Sequence, residues 1–249
     1  MDIELYQGDC LEIMPVKIPD KSVDMILCDL PYGTTACKWD VVIPFEPLWK
    51  EYNRIIKDRG CIALFGSESF SSHLRMSNIK NYKYDWVWNK IRPSGFALSK
   101  KRPLCNNENI SIFYYKTCDY YPQMTKGKPS HYGYNKTKKN SSQPKLKPIP
   151  KNYTDDKYPK TIIEFSKLGA SVYVHPTQKP VTLLEYLIKT YTLENETVLD
   201  NCMGSGSTGV ACINTKRNFI GIEKEEVYFE IAKKRIEEAE NSINEKLFI

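Results

Sequence analysis

The stretch TVLDNCMGSGSTGVACI, Thr197 to Ile213, limits what this chain can fold into more than any other part of it. An apolar run ends on Asp200, a glycine turn follows at Gly204-Ser205-Gly206, and helical periodicity opens at Ser207. Glycine is needed where the backbone takes positive φ or lies against a ligand, and a helix N-terminus offers free N–H groups to an anion. The next apolar run, FIGIE, ends on Glu223, 19 residues beyond Gly204. An acid at that distance is placed to accept hydrogen bonds from a ribose diol. Strand, turn, helix, strand and acid in this order predict a site for a nucleoside cofactor, and a nicotinamide dinucleotide fits the pattern almost as well as any other.

The rest of the chain repeats the alternation. Short apolar runs predict strands at Ile3 to Tyr6, Val23 to Cys28, Cys61 to Phe65, Tyr84 to Trp88, Ile110 to Tyr115, Thr197 to Leu199 and Asn218 to Ile222. Helical periodicity lies between them at Phe45 to Ile56, Ser69 to Asn78, Val181 to Tyr191, Ser207 to Asn214 and Glu225 to Ala239. Strands alternating with helices predict an α/β fold with a doubly wound, mainly parallel sheet. The rhythm breaks from about Pro93 to Thr161, which is rich in Lys, Asn, Pro and Tyr. The expected organisation is a first half-domain over residues 1–92, an insertion over 93–161 and a second half-domain over 162–249. Within the insertion, residues 107–116 are expected to be a strand of the core.

Charge separates the insertion from the body. Lys90 to Lys160 carries 16 basic residues against four acidic ones, whereas the remainder carries 20 against 26. Eight of the 17 tyrosines fall in the same block, among them Tyr120, Tyr121, Tyr132 and Tyr134, interleaved with Lys126, Lys128, Lys136, Lys138 and Lys139. Cations for phosphates and rings for bases predict a nucleic-acid surface, against the plainer alternative of a solvated lysine-rich loop. The eight cysteines are scattered without a Cys-x-x-Cys pair, and there are three histidines, so neither a zinc site nor a disulfide framework is expected. No metal ligand set is expected. With no apolar run of signal-peptide or membrane-span length, the chain is expected to be cytoplasmic.

The stretch CDLPYGTTACKWD, Cys28 to Asp40, narrows the chemistry. Hydride transfer has no use for Asp29-Leu30-Pro31-Tyr32 at a strand end, but group transfer to a planar amine has a use for each position. An amino group on an aromatic ring is a poor nucleophile because its lone pair is delocalised. Asp29 can accept one amino hydrogen and the Leu30 carbonyl the other, which directs the lone pair toward an electrophilic methyl. Pro31 fixes its own φ and biases Leu30 toward an extended conformation. Tyr32 is placed to stack on the base, a contact worth about 1–3 kcal/mol.

These blocks resemble the amino-methylating DNA methyltransferases of the beta group, which use S-adenosylmethionine. Asp29-Leu30-Pro31-Tyr32 is similar to the family's Asp-Pro-Pro-Tyr signature, HPTQKP (His175 to Pro180) to the motif before the cofactor loop, and LDNCMGSGSTG (Leu199 to Gly209) to the loop itself. YQGDCLEIM, ALFGSE, WVWNK and NENISIFYYK resemble further family blocks, the first of which would set Asp9 near the cofactor adenine. The resemblance implies a Rossmann-like methyltransferase fold with an inserted target-recognition region. It implies Asp29, Leu30, Pro31 and Tyr32 as catalytic residues, and Asp9, Thr177, Lys179, Asp200, Cys202, Gly204, Ser205, Gly206, Ser207 and Glu223 as cofactor-binding residues, with Lys179 pairing the cofactor carboxylate. Two departures stand out: Leu30 replaces the usual first proline, and Asn201-Cys202-Met203 replaces a common Pro-Phe-x.

The implied reaction is transfer of a methyl group from S-adenosylmethionine to N6 of an adenine flipped out of DNA, as in restriction-modification. The implied partners are DNA and, in keeping with the group, a second copy of the chain and a cognate restriction endonuclease. No Pro-Cys dipeptide is present, which argues against methylation of a cytosine ring carbon. Asp rather than Ser at position 29 favours adenine-N6 over cytosine-N4, which is the alternative. An RNA methyltransferase and a non-enzymatic DNA-binding module are the remaining readings. The module would leave Asp29, Gly204, Gly206 and Glu223 without work.

Overall fold

The computed structural model describes residues 1–34, 37, 40–132, 152–167 and 178–247. Its elements in chain order are β1 (Ile3–Gln7), α1 (Cys10–Lys17), β2 (Val23–Cys28), α2 (Phe45–Ile55), β3 (Ile56–Gly66), α3 (Phe70–Ser77), β4 (Tyr82–Ser94), β5 (Cys105–Phe113), β6 (Thr125–Tyr132), β7 (Asn152–Lys157), β8 (Ile162–Glu164), α4 (Val181–Tyr191), β9 (Thr197–Asp200), α5 (Ser207–Thr215), β10 (Asn218–Glu223) and α6 (Glu226–Leu247). They form two compact units, one of Met1–Tyr121 with Thr161–Ile249 and one of Pro122–Lys160.

The larger unit holds an eight-stranded sheet in the order β1-β10-β9-β2-β3-β5-β4-β8. Neighbours are parallel except around β5, which runs antiparallel to both β3 and β4. This is the doubly wound, mainly parallel α/β sheet that the alternation predicts. Period-two burial divides the strands between two cores. Met25, Leu27, Ala63 and Phe65 pack with α4, α5 and α6, whereas Ile26, Cys28, Ile62 and Leu64 pack with α1, α2 and α3.

This topology fixes where a site can form. The C-terminal ends of β1, β2, β9 and β10 share one edge of the sheet, the edge at which ligands bind in open α/β sheets. Because β5 is reversed between β3 and β4, its N-terminal end lies on that edge beside the C-terminal part of β4: Asn89 is opposite Asn107, and Trp88 is opposite Glu108. Residues that are far apart in sequence are thereby brought together.

Four elements have no counterpart among the predicted ones: α1, the strands β6 and β7 within the expected insertion, where Lys, Asn, Pro and Tyr obscure any strand pattern, and the three-residue β8 just after it. Helix α1 contains Pro15 and buries only Cys10 and Met14, so it lacks the apolar stripe that identifies a surface helix. Asp9 caps it, accepting a hydrogen bond from the Leu11 N–H at 3.0 Å. The smaller unit is described by the antiparallel pair β6 and β7. Lys126 is exposed there and pairs with Asp155 at 2.8 Å and Asp156 at 2.7 Å. Lys128 is exposed, while Tyr134, Lys136, Lys138 and Lys139 lie outside the described residues.

Glycine 206 has a packing role that the sequence hides. Its φ is +77°, and a Cβ there would stand 2.9 Å from the Ala232 Cβ and 3.0 Å from the Ala232 Cα of α6. The residue lets α6 close on the loop. We expect Gly206→Ala to destabilise the fold by about 1–3 kcal/mol, from overpacking and a strained left-handed residue. Urea unfolding of the cofactor-free protein checks this, and an unchanged midpoint would refute it.

Candidate active site

A cavity of about 530 Å³ opens along the strand-end edge of the larger unit. Its wall includes Asp9 after β1, Asp29 to Tyr32 after β2, Asp200 to Ser205 after β9, Glu223 at the end of β10, and Lys90, Glu108 and Lys179. Thirteen of the predicted site residues are therefore on or beside one surface, all except Thr177, which lies outside the described residues.

The glycine-loop end is held by backbone-to-carboxylate bonds. Glu223 accepts the Gly204 N–H at 2.8 Å through one oxygen and the Glu225 N–H at 2.9 Å through the other. Burial pushes its carboxyl up despite these bonds. Asp200 is buried and accepts the Thr208 hydroxyl at 2.6 Å and the Cys202 N–H at 3.1 Å, and burial lifts its pKa to about 6. Ser205 and Ser207 face Arg235 of α6, which donates to both hydroxyls at 2.9 and 3.4 Å. The Asp9 carboxylate meets Lys224 at 3.1 Å. The replacement at Asn201 is accommodated by a buried hydrogen bond from the Tyr52 hydroxyl to its side-chain oxygen, 2.5 Å long.

The β2 end carries the charge. Asp29 Oδ1 accepts the Tyr32 hydroxyl at 2.6 Å, and Oδ2 accepts from the Lys179 ammonium at 2.6 Å. The expectation set Lys179 against a cofactor carboxylate. In the structure its ammonium joins Asp29 to Glu108, 3.2 Å away on the other side. Glu108 in turn accepts from Lys90 at 2.5 Å. Two ammoniums and two carboxylates thus alternate in a nearly closed environment, with side-chain exposures of 6–8 % for the lysines and 14–21 % for the acids.

The two acids respond oppositely. Burial raises Asp29 above the usual carboxylate range, and Lys179 offsets this only in part. Glu108 lies between two ammoniums, which outweigh burial and hold it below its ordinary value. The same partners raise Lys179 although burial opposes them. The site therefore offers a carboxylate of increased basicity beside an aromatic ring.

Several contacts hold the segment that follows this carboxylate. Leu30 is buried in the core cluster formed with α1, α2 and α3 and also borders the cavity. The Tyr32 ring stacks on Phe70, with centroids 4.8 Å apart and planes 25° apart. Asp40 ties the following turn by accepting the Gly33 and Thr34 N–H groups at 2.8 and 2.9 Å. Lys90 and Glu108 have no assigned role in the sequence reading, although both occur in blocks it quotes. The signal for them is a charged residue at the end of an apolar or aromatic strand, and their pairing is visible only once β4 and β5 are in register.

The family model for DNA methylases of the N6/N4 type matches residues 23–234, and the chain belongs to this family of amino-methylating DNA methyltransferases. It is 28 % identical to the Type II methyltransferase M.HinfI of Haemophilus influenzae, over 97 % of this chain and 70 % of the relative. It is also 28 % identical to the Type II methyltransferase M2.DpnII of Streptococcus pneumoniae, over 92 % and 87 %. Among solved structures, the M1.HpyAVI–SAM complex superposes with a TM-score of 0.65 at 29 % identity, covering 94 % of this chain and 98 % of that one.

Lys179→Met is expected to cost about 3–5 kcal/mol at pH 7, because it leaves two carboxylates without their shared cation. Loss of the ammonium raises both carboxyl pKa values, so protonation relieves the cost as pH falls toward 5. Urea unfolding at the two pH values measures the difference. A penalty that is equal at both would contradict the charge arrangement.

Proposed function

We propose that the chain transfers a methyl group to the N6 amino group of an adenine flipped out of DNA, with S-adenosylmethionine as donor. The observation that carries this reading is the shared cavity: Asp29 and Tyr32 stand at one end, and the glycine loop with Glu223 at the other. The residues present suit the donor. Gly204 at φ +51° gives a loop that a ligand can approach closely, Asp9 and Glu223 offer acceptors for ribose and base, and Ser205 lines the cavity. When bound, S-adenosylmethionine supplies a methyl group on a positively charged sulfur.

The residues of this chain do the rest. Asp29 and the Leu30 carbonyl accept the two amino hydrogens and turn the nitrogen lone pair toward the methyl. As the bond forms, the nitrogen becomes cationic and must lose a proton, and the raised basicity of Asp29 suits it to stabilise that charge and take the proton. Lys179 fixes the Asp29 rotamer, and Glu108 keeps Lys179 from neutralising Asp29 completely. Tyr32 supplies an aromatic face for the base. Asp at position 29 supports adenine over cytosine.

Sequencing of DNA from cells that express the protein, with detection of modified bases, tests the reading. N6-methyladenine at one motif is expected. N4-methylcytosine would replace adenine by the alternative base, and unmodified DNA would refute the proposal. Asp29→Ala should lower methyl transfer at least about a hundredfold through loss of the acceptor, with cofactor affinity by calorimetry unchanged. Near-normal turnover would remove Asp29 from the reaction.

A further inference from the structure

Strands β4 and β5 continue past the cavity wall into a hairpin whose tip is built to expose its side chains. Lys90 and Ser94 line the cavity, and Ser94 pairs with Cys105 where the strands end. Between them Gly95 takes φ +89° and opens a 3₁₀ turn over Phe96–Leu98. Backbone bonds close the turn: Leu98 N–H to the Gly95 carbonyl at 2.9 Å, Lys101 N–H to the Leu98 carbonyl at 2.8 Å, and Arg102 N–H to the same carbonyl at 3.0 Å. Yet the apolar side chains here face solvent. Ile91 is 51 % exposed, Phe96 66 % and Leu98 39 %. Ile91 also holds φ +62°, unusual for a β-branched residue.

Four cations surround this apolar tip. Arg92, Lys100, Lys101 and Arg102 are all exposed, and no acidic residue occurs from Ile91 to Asn107. Such a patch suits an anionic partner that also accepts an apolar insertion. A second copy that met this patch across a two-fold axis through it would set like charges against each other. Duplex DNA fits both features. Extruding a base leaves a gap in the stack, apolar side chains are used to fill such gaps, and the flanking phosphates take the cations.

We infer that the β4–β5 tip is the wedge of this enzyme: Phe96 enters the stack in place of the flipped base, while Lys100, Lys101 and Arg102 hold the adjoining phosphates. The inference rests on the proposed function, since it requires a base to leave the duplex for the cavity that Lys90 and Ser94 border.

Single-turnover methylation on two duplexes tests it, each carrying the motif found by sequencing. In one the target adenine is paired; in the other the opposite position is abasic, so the target is already loosened. Phe96→Ala should slow transfer at least about tenfold on the paired duplex and less than about threefold on the abasic one, because the second substrate needs little help to open. Phe96→Trp should restore the paired rate. With 2-aminopurine at the target, wild type should brighten on binding and Phe96→Ala should brighten less. Replacing Lys100, Lys101 and Arg102 by glutamine should make the salt slope of binding shallower by about two to three.

Equal rates for wild type and Phe96→Ala on the paired duplex, or an equal loss on both duplexes, would overturn the wedge. So would sedimentation showing that Phe96→Ala only dissociates a dimer. A wild type inert on both duplexes would instead refute the proposed function itself.

Discussion

The Lys179 ammonium, shared between Asp29 and Glu108, is the interaction on which the site depends. An isolated buried carboxylate would hold a proton, and an isolated buried ammonium would lose one. Alternation of Lys90, Glu108, Lys179 and Asp29 keeps charges in a place where neither sign is tolerated alone. Such an arrangement is a poor source of net stability, since desolvation offsets most of its Coulombic gain. Its value lies in what it does to Asp29, whose carboxylate is fixed in direction by Lys179 and Tyr32 and remains more basic than usual.

Sheet topology makes this arrangement achievable. The four charged residues come from the end of β2, the end of β4, the start of β5 and the segment that enters α4. Parallel order puts the end of β2 on the edge shared with the glycine loop, and reversal of β5 delivers Glu108 to the same edge. The carboxylate beside Tyr32 and the loop held by Glu223 thus share one cavity without any long-range adjustment. In the proposed reaction this shared cavity brings the amine and its methyl donor together, which is the main contribution of such a site.

The legible parts of this fold were those written in local pattern. Apolar runs that end on Asp29, Asp200 and Glu223 identify strand ends, and glycines after Asp200 identify the loop. Helix α1 was not legible, because Pro15 and the lack of an apolar stripe conceal it. The reason for Gly206 was hidden as well, since its neighbour Ala232 is 26 residues away in sequence and meets it only through the packing of α6. Lys179 was visible as a cation in a motif, but its partners depend on strand register. A single sequence shows which residue is charged and leaves open which opposite charge it will meet.

Burial makes Asp29 more basic than usual, and Glu108 contributes by sharing Lys179 with it. This contribution is tested most directly by the pH profile of single-turnover methyl transfer for wild type and Glu108→Gln. Transfer requires ionised Asp29, so the rate should rise with pH through its pKa. Glu108→Gln removes a nearby negative charge and leaves Lys179 to Asp29 alone, which lowers that pKa and should move the acid limb to lower pH, with cofactor affinity unchanged. An acid limb at the same pH in both proteins would contradict the account.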